Sequence, residues 1–280
     1  MPAAKQRSAD DGPVLVRIDP ATPSIARVYD ALVGGHDHYE SDRAVLRKIL
    51  EIAPEAQHMA RELRHWLVRT VRFLADRMAI DQFLDLGSGF PTAENTHQIA
   101  QRYRPEAHVV YVDNDPVVQA HGRAVLEENE YTHVSGADIT RPAESLADPE
   151  ITKYLDFSRP VGVIMCGIIH HIKDLDEARE VVKAYVDAVA PGSYLVLAHQ
   201  FNPGDGSEAA RVADSLDDRF RGTGLDTLYR SREDIESLFD GLELVDPGLK
   251  HPHEWWPDGP RLHPLSPVNY TTLGGVARKP

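Results

Sequence analysis

A single cysteine, Cys166, stands among 280 residues. No disulfide can close within the chain, and a reducing compartment is expected. Long apolar runs are missing too. The longest, "VGVIMCGII" from Val161 to Ile169, falls well short of the roughly 20 residues a membrane-spanning helix needs, so no membrane partner is expected. The opening "MPAAKQRSADDG" lacks the apolar segment of a secretory signal, and the expected location is cytoplasmic. Basic charge is scarce: 30 Lys and Arg against 44 Asp and Glu give a formal net charge of −14. Such a surface repels phosphate backbones. The densest basic stretch, Arg61 to Arg77, sits at helical spacing among acids and apolar residues and reads as a solvated helix face. Nucleic acid is therefore not an expected partner, whereas a small molecule is. No internal repeat or low-complexity linker divides the chain, and nothing in it fixes an oligomeric state.

What is present begins with helices. Residues 1–20 are polar, with Pro2, Pro13 and Pro20, and read as a loose tail. Thr22-Pro23 is a helix-start signal, a cap followed by proline in the first turn. Ile25, Val28, Tyr29 and Leu32 then form one apolar stripe, which Gly34-Gly35 ends. A second helix is predicted over Asp42–Ile52 and a third over Glu55–Met78, with Met59, Leu63, Trp66, Leu67, Val71 and Leu74 on one face. Residues 21–80 thus read as a helical cap. From residue 81 the pattern alternates. "DQFLDLGSG", "AHVVYVDND", "YTHVSGAD", "PVGVIMCGI" and "GSYLVLAHQ" read as strands, with helical patterns between most of them. Near-continuous apolar runs of this kind belong to a parallel sheet covered on both faces, an α/β fold. "GLELVDPG" and "NYTTLGGVARKP" read as two last strands, antiparallel because no helix joins them. Residues 81–280 form the expected core.

The first strand runs into Gly87-Ser88-Gly89, and a helix is predicted from about Thr92. Glycines there allow a tight turn and close approach of a ligand. A dinucleotide fingerprint needs a third glycine where Thr92 stands, which argues against a nicotinamide-dependent oxidoreductase. Asp85, just before the turn, suits a cationic ligand better than a pyrophosphate. Asp113, at the end of the second strand, can accept both hydroxyls of a ribose, with Asn114 beside it. Asp138, at the end of the third, can accept from an exocyclic amine such as that of adenine. An adenosine with a cationic tail and no phosphates meets all three acids: S-adenosylmethionine.

At this point the sequence resembles the class I S-adenosylmethionine-dependent methyltransferases. More narrowly, it is similar to the S-adenosyl methyltransferase family typical of actinobacteria, whose substrates are mostly unassigned. The similarity rests on "PSIARVYDALVGGHDHYESDR", "FLDLGSGFPTAENTH", "VVYVDNDPVV", "LDFSRPVGVIM", "APGSYLVLAHQ" and "GGVARKP", and spans about Pro23 to Pro280. It implies a Rossmann-like, seven-stranded, mostly parallel sheet in which only the last strand, inserted between its neighbours, is antiparallel. The expected cofactor contacts are Arg27, Tyr29, Gly35, Asp85, Gly87, Ser88, Gly89, Asp113, Asn114, Asp138, Ile139 and Cys166, with Arg27 or Tyr29 reaching the methionine carboxylate. Cys166 reads as a small buried hydrophobe rather than a nucleophile. Two segments depart from the family pattern. His36-Asp37-His38-Tyr39 replaces a Lys-Asp-Asn-Phe-like run, and "IIHHI" carries two histidines where many members have one followed by an aromatic.

The acceptor is expected to be a small molecule methylated on oxygen or nitrogen. His170 and His171 follow the fourth strand on the ligand side and are candidate bases, or else hydrogen-bonded shapers of the loop; Tyr29 joins them as a catalytic candidate. His199 ends the fifth strand, and His36 and His38 would approach the same place if the elbow after Gly34-Gly35 folds over the crevice. His36-x-His38 with Asp37 or His170 is the best metal arrangement available, but no zinc spacing is present and no metal is expected. His251-x-His253 beside Trp255-Trp256 either borders the acceptor pocket or packs a surface loop. "RVYDALVGGHDHY" is a candidate lid, the plainer reading being a helical pair packed on the sheet. A protein that binds the cofactor without turnover is the alternative from another class.

Overall fold

Ser24 starts the first helix that the computed structural model describes; the described residues are 19–92, 94–261 and 264–280. The predicted tail of residues 1–20 lies almost wholly outside them. Helix α1 covers Ile25–Val33, with Ser24 Oγ accepting from the Arg27 amide. Thr22-Pro23 is not the cap, because Asp19 accepts from the Ala21 amide and the Thr22 hydroxyl and holds that segment in a turn ahead of the helix. Gly34, at φ 88°, closes the helix in the left-handed conformation. Helix α2 (Glu40–Ile52) and helix α3 (Ala56–Asp76) follow. The predicted α3 stripe is buried from Met59 to Leu74, and Trp66 is fully enclosed with its ring edge-on to Trp255 at 6.3 Å.

The strands lie where the apolar runs put them. Strand β1 covers Gln82–Leu86, helix α4 Thr96–Gln101, β2 His108–Val112, α5 Pro116–Val125 and β3 Thr132–Ser135. Single turns α6 (Pro142–Ser145) and α7 (Pro149–Thr152) lead to β4 (Gly162–Cys166). Helix α8 (Leu175–Ala188), β5 (Tyr194–Gln200), α9 (Glu208–Phe220), α10 (Arg232–Glu236), β6 (Glu243–Leu244) and β7 (Thr272–Arg278) complete the order. The sheet has seven strands in the order β3-β2-β1-β4-β5-β7-β6. Strands β1 to β5 pair in parallel; β7 inserts between β5 and β6 and is antiparallel to both. That is the arrangement the resemblance implied.

Alternating strand residues feed two cores, one on each face. Leu84, Val110, Val163 and Leu195 pack with α8, while Phe83, Val109, Ile164 and Val196 pack with α3. A third apolar cluster joins Val28 and Leu32 of α1, Val45 of α2, Met59 of α3 and Leu216 and Phe220 of α9. Val28 and Leu32 are each about nine-tenths buried there, worth roughly 1.5–3 kcal/mol apiece against exposure. Strand order reverses between β1 and β4, so the ligand crevice of such a sheet lies outside the carboxyl ends at that point. The third cluster helps wall the cavity found there.

Candidate functional site

A cavity of about 780 Å³ opens at the switch point, within the range of small-molecule sites. One end is the carboxyl edge of β1 to β4, and the other is walled by α1, α2, α3 and α9. At the strand end, Gly87 and Gly89 take φ +67° and +65°. A methyl group on Gly87 would come within 2.4 Å of the Ile168 side chain, so this turn needs glycine for space as well as conformation. The Gly89 amide donates to Asp113 Oδ2 at 2.9 Å, and the Asp115 amide to Asp113 Oδ1 at 2.9 Å. Each carboxylate oxygen keeps a further lone pair, so the fixed Asp113 can still accept two hydroxyls. Burial pushes its pKa up, against the pull of those two amides. Asp138 accepts the Thr140 amide and hydroxyl on Oδ1, and no hydrogen bond among the described residues occupies Oδ2. Ser88, Asn114, Ile139 and Cys166 also line this end. Burial pushes the Cys166 thiol up to about 12, so it packs as a neutral group. The donor set fits an adenosine with a positive tail: acids just past β2 and β3, a glycine turn, and, among the described residues, no cluster of lysines or arginines for a pyrophosphate.

Several expected contacts stand off the wall. Arg27 is buried in an ion pair with Asp42 at 2.9 Å, and its guanidinium also meets the Thr22 carbonyl, so it ties α1 to α2 rather than facing a ligand. Asp85 is buried, with Oδ2 held by the Thr96 hydroxyl at 2.7 Å, and does not line the cavity. Gly35 faces Asp30 instead, where a Cβ would fall 1.9 Å from Oδ1. Asp30 Oδ2 takes the Asp37 amide at 2.9 Å and His38 Nδ1 at 2.8 Å, so the elbow caps itself on its own helix. His36 is exposed, and neither it nor His38 lines the cavity. The helix expected near Thr92 begins at Thr96 instead, because Asn95 caps it and takes the Thr92 amide at 2.8 Å. His251 stacks on His253 beside Tyr270 and away from the main cavity, and Trp255 is wholly in the core. Among the described residues, no three His, Cys, Asp or Glu side chains gather to hold a metal.

Tyr29, His170 and His171 do line the cavity. Burial raises the Tyr29 phenol pKa and depresses those of His170 and His171, so all three are neutral at pH 7. The two histidines form a 3₁₀ turn after β4, their rings 4.2 Å apart. The segment 225–230 is fastened to that turn: the Leu228 amide donates to the His170 carbonyl, and His171 Nδ1 lies 2.7 Å from the Asp226 carbonyl. His199 lies behind them with both ring nitrogens used, Nδ1 on the Gln200 carbonyl and Nε2 on Arg230 at 3.2 Å. Burial lowers its pKa to about 3. The five imidazoles therefore do not converge; two reach the cavity and one supports them.

Arg64 is the wall residue that spacing did not single out. It rises from α3, donates to Thr92 Oγ1 at 2.7 Å and to the Glu94 carbonyl at 3.1 Å, and pairs with no acid among the described residues. Periodicity placed it among solvated arginines, and only the fold brings it to the strand ends. At the α1 end, Ser24 Oγ donates to Asp115 Oδ2 at 2.8 Å and links the helix start to the loop after β2.

A crevice with these acids, on a sheet whose antiparallel β7 sits between β5 and β6, defines a class I S-adenosylmethionine-dependent methyltransferase. A profile of the S-adenosyl methyltransferase family matches residues 13–280, and the chain belongs to that family. It is similar to a proposed methyltransferase from Thermobifida fusca, with 42% identity, a TM-score of 0.85, and coverage of 92% of this chain and 96% of that one. It is also similar to a DUF574 family protein from Streptomyces avermitilis, with 35% identity, a TM-score of 0.87, and coverage of 94% and 100%. The fold extends to the N-methyltransferase NodS from Bradyrhizobium japonicum in complex with S-adenosyl-L-homocysteine, at 13% identity, TM-score 0.50 and coverage of 91% and 99%. No curated protein matches the chain. S-adenosylmethionine is the cofactor, and no helix among the described residues is long and apolar enough to cross a membrane.

Proposed function

We propose that the enzyme moves the methyl group of S-adenosylmethionine onto a small molecule held in the apolar end of the cavity. One observation carries this: a single cavity runs from the carboxylates at the strand ends to a chamber walled by Val28, Leu32, Met59, Leu216 and Phe220. In this reading Asp113 takes the ribose hydroxyls and Asp138 the adenine amine. Gly87, Ser88, Gly89, Asn114, Ile139 and Cys166 shape the rest of the cofactor seat. Arg64, a cation without an acid partner among the described residues, takes the methionine carboxylate in place of Arg27, with Tyr29 beside it. The cofactor supplies an electrophilic methyl on a positive sulfur; the chain supplies position. Direct displacement needs the acceptor atom about 3 to 3.5 Å from that carbon, in line and shielded from water. Residues 21–80 act as the cap, with α1 and α2 as its lid, over a catalytic core of residues 81–280. The cytoplasm is the proposed location, and the acid surplus disfavours nucleic acid as acceptor.

The test uses S-adenosylmethionine labelled in the methyl group, incubated with enzyme and, in separate reactions, with the small-molecule, RNA and protein fractions of a cell extract. Label in extractable small molecules is the expected result. Label in protein or RNA would overturn the small-molecule reading. Tight S-adenosylhomocysteine binding with no transfer from any fraction would favour a sensor.

A further inference from the structure

The polar atoms around the acceptor end carry more information than its apolar wall. A backbone carbonyl only accepts, so the contact of His171 Nδ1 with the Asp226 carbonyl at 2.7 Å puts the proton on Nδ1. The neutral ring then keeps a lone pair on Nε2, and no hydrogen bond among the described residues uses it. His170 is the reverse case. It is 5% exposed, and its Nδ1 is sealed with no hydrogen-bond partner among the described residues. A buried N–H without an acceptor is rarer in folded proteins than a buried acceptor without a donor. The proton therefore sits on His170 Nε2, the ring nitrogen left to meet a ligand. Two adjacent imidazoles thus face one cavity with opposite polarity.

Charge in that chamber is confined to its edges. Lys173 and Glu177 line the cavity but are exposed, and Lys173 reaches Asp226 at 3.3 Å. Arg64 belongs to the cofactor end. The interior polar groups are neutral: the Tyr29 and Tyr229 phenols, Thr227, Gln200 and the two histidines. An ammonium or carboxylate held among them would be buried without a counter-charge. An imidazole is also a poor match for the proton of an alkyl alcohol and a better one for a phenol or enol.

We propose that the acceptor is an uncharged, mainly apolar molecule bearing a phenol- or enol-type hydroxyl, with His171 Nε2 receiving its proton and His170 Nε2–H donating to its oxygen. The inference rests on the methyl-transfer reading above. The acceptor oxygen forms its bond to the methyl carbon as the carbon–sulfur bond breaks, and that electron pair stays on sulfur. The hydroxyl proton passes to His171 and then to solvent. The His170 donor meets negative charge as it grows on oxygen. His171 is the catalytic residue, and the Asp226 carbonyl positions it.

Two measurements test this. In protein with ¹⁵N-labelled histidine, long-range ¹⁵N–¹H correlation at pH 7 should show the Nδ1–H tautomer for His171 and the Nε2–H tautomer for His170. The reverse assignment for either ring, or a charged ring, overturns the proposal. Calorimetry on the S-adenosylhomocysteine complex should find 2-naphthol bound at least tenfold tighter than 2-naphthoate or 2-naphthylmethylammonium. Equal binding of a charged analogue, or no binding of 2-naphthol, overturns it. His170→Ala should weaken 2-naphthol about tenfold and His170→Gln should regain the loss, since its amide N–H replaces Nε2–H; equal losses in both would remove the donor role. Failure of S-adenosylhomocysteine to bind would instead overturn the methyl-transfer reading, and the tautomers remain readable in the free protein.

Discussion

Asp113 is held by two backbone amides, so removing its side chain unties the glycine turn as well as the ligand. Hydrogen bonds to a charged acceptor are worth about 1.5–3 kcal/mol each. Asp113→Ala should therefore weaken S-adenosylhomocysteine by an order of magnitude or more by calorimetry, and unchanged affinity would remove the ribose assignment. Arg64→Gln has a sharper signature. It should weaken S-adenosylhomocysteine about tenfold yet leave adenosine, which lacks the carboxylate, unaffected; equal losses would mean that Arg64 only braces the Thr92 loop. His199 predicts a pH effect. Its folded pKa of about 3 lies below the ordinary 6.5, so between those values the unfolded chain binds the extra proton. Stability should fall as pH drops through that window, by up to about 1.4 kcal/mol per unit for each such histidine, with His170 and His171 acting in the same direction. Thermal melts from pH 7 to 4.5 should show it, with a shallower slope in His199→Gln. Asp113 and Asp138 could be placed at the crevice wall from the sequence because each closely follows a strand, and strand ends define the crevice. Arg27 and Asp85 are expected at the cavity wall from the sequence and lie off it, because the partners that hold them, Asp42 and Thr96, come beside them only once the chain is folded. Arg64 was missed because helical spacing reports a face, not what another element lays across it.

At the scale of elements, the strands and most helix bounds followed from apolar runs and period, since burial on both faces leaves little latitude. The elbow did not. Its glycines and histidines suggested a flexible fold-over, but Asp30 gathers the following amide and imidazole and makes a self-contained cap. Gly35→Ala should accordingly cost stability, about 1–3 kcal/mol in denaturant melts, because the new methyl must displace that carboxylate. The mobile candidate is the other end of α1, joined to the loop after β2 through Ser24 and Asp115. Lid segments come from the less stable parts of a fold. Hydrogen exchange in residues 24–33 should slow on binding S-adenosylhomocysteine while the middle of α3 changes little. Ser24→Ala should lose the link and speed ligand release. Exchange in α1 that ignores the ligand would make it a fixed wall.

At the scale of the whole molecule, ligand binding adds to global stability by mass action. At a hundred times Kd the gain is about 2.7 kcal/mol. S-adenosylhomocysteine should raise Tm and NADH should not. The position of β7 has a consequence for biosynthesis. Gln200 of β5 pairs with Thr272, 72 residues further along the chain. At about 5–20 residues per second, the ribosome takes roughly 4–14 s to deliver that partner. For that interval β5, a run of Tyr-Leu-Val-Leu-Ala, presents an unpaired apolar edge of the kind that templates aggregation. The nascent protein is therefore expected to need something that shields this edge, and slow synonymous codons between β5 and β7 should lower the soluble yield, measured by fractionation, while leaving the Tm of the soluble protein unchanged.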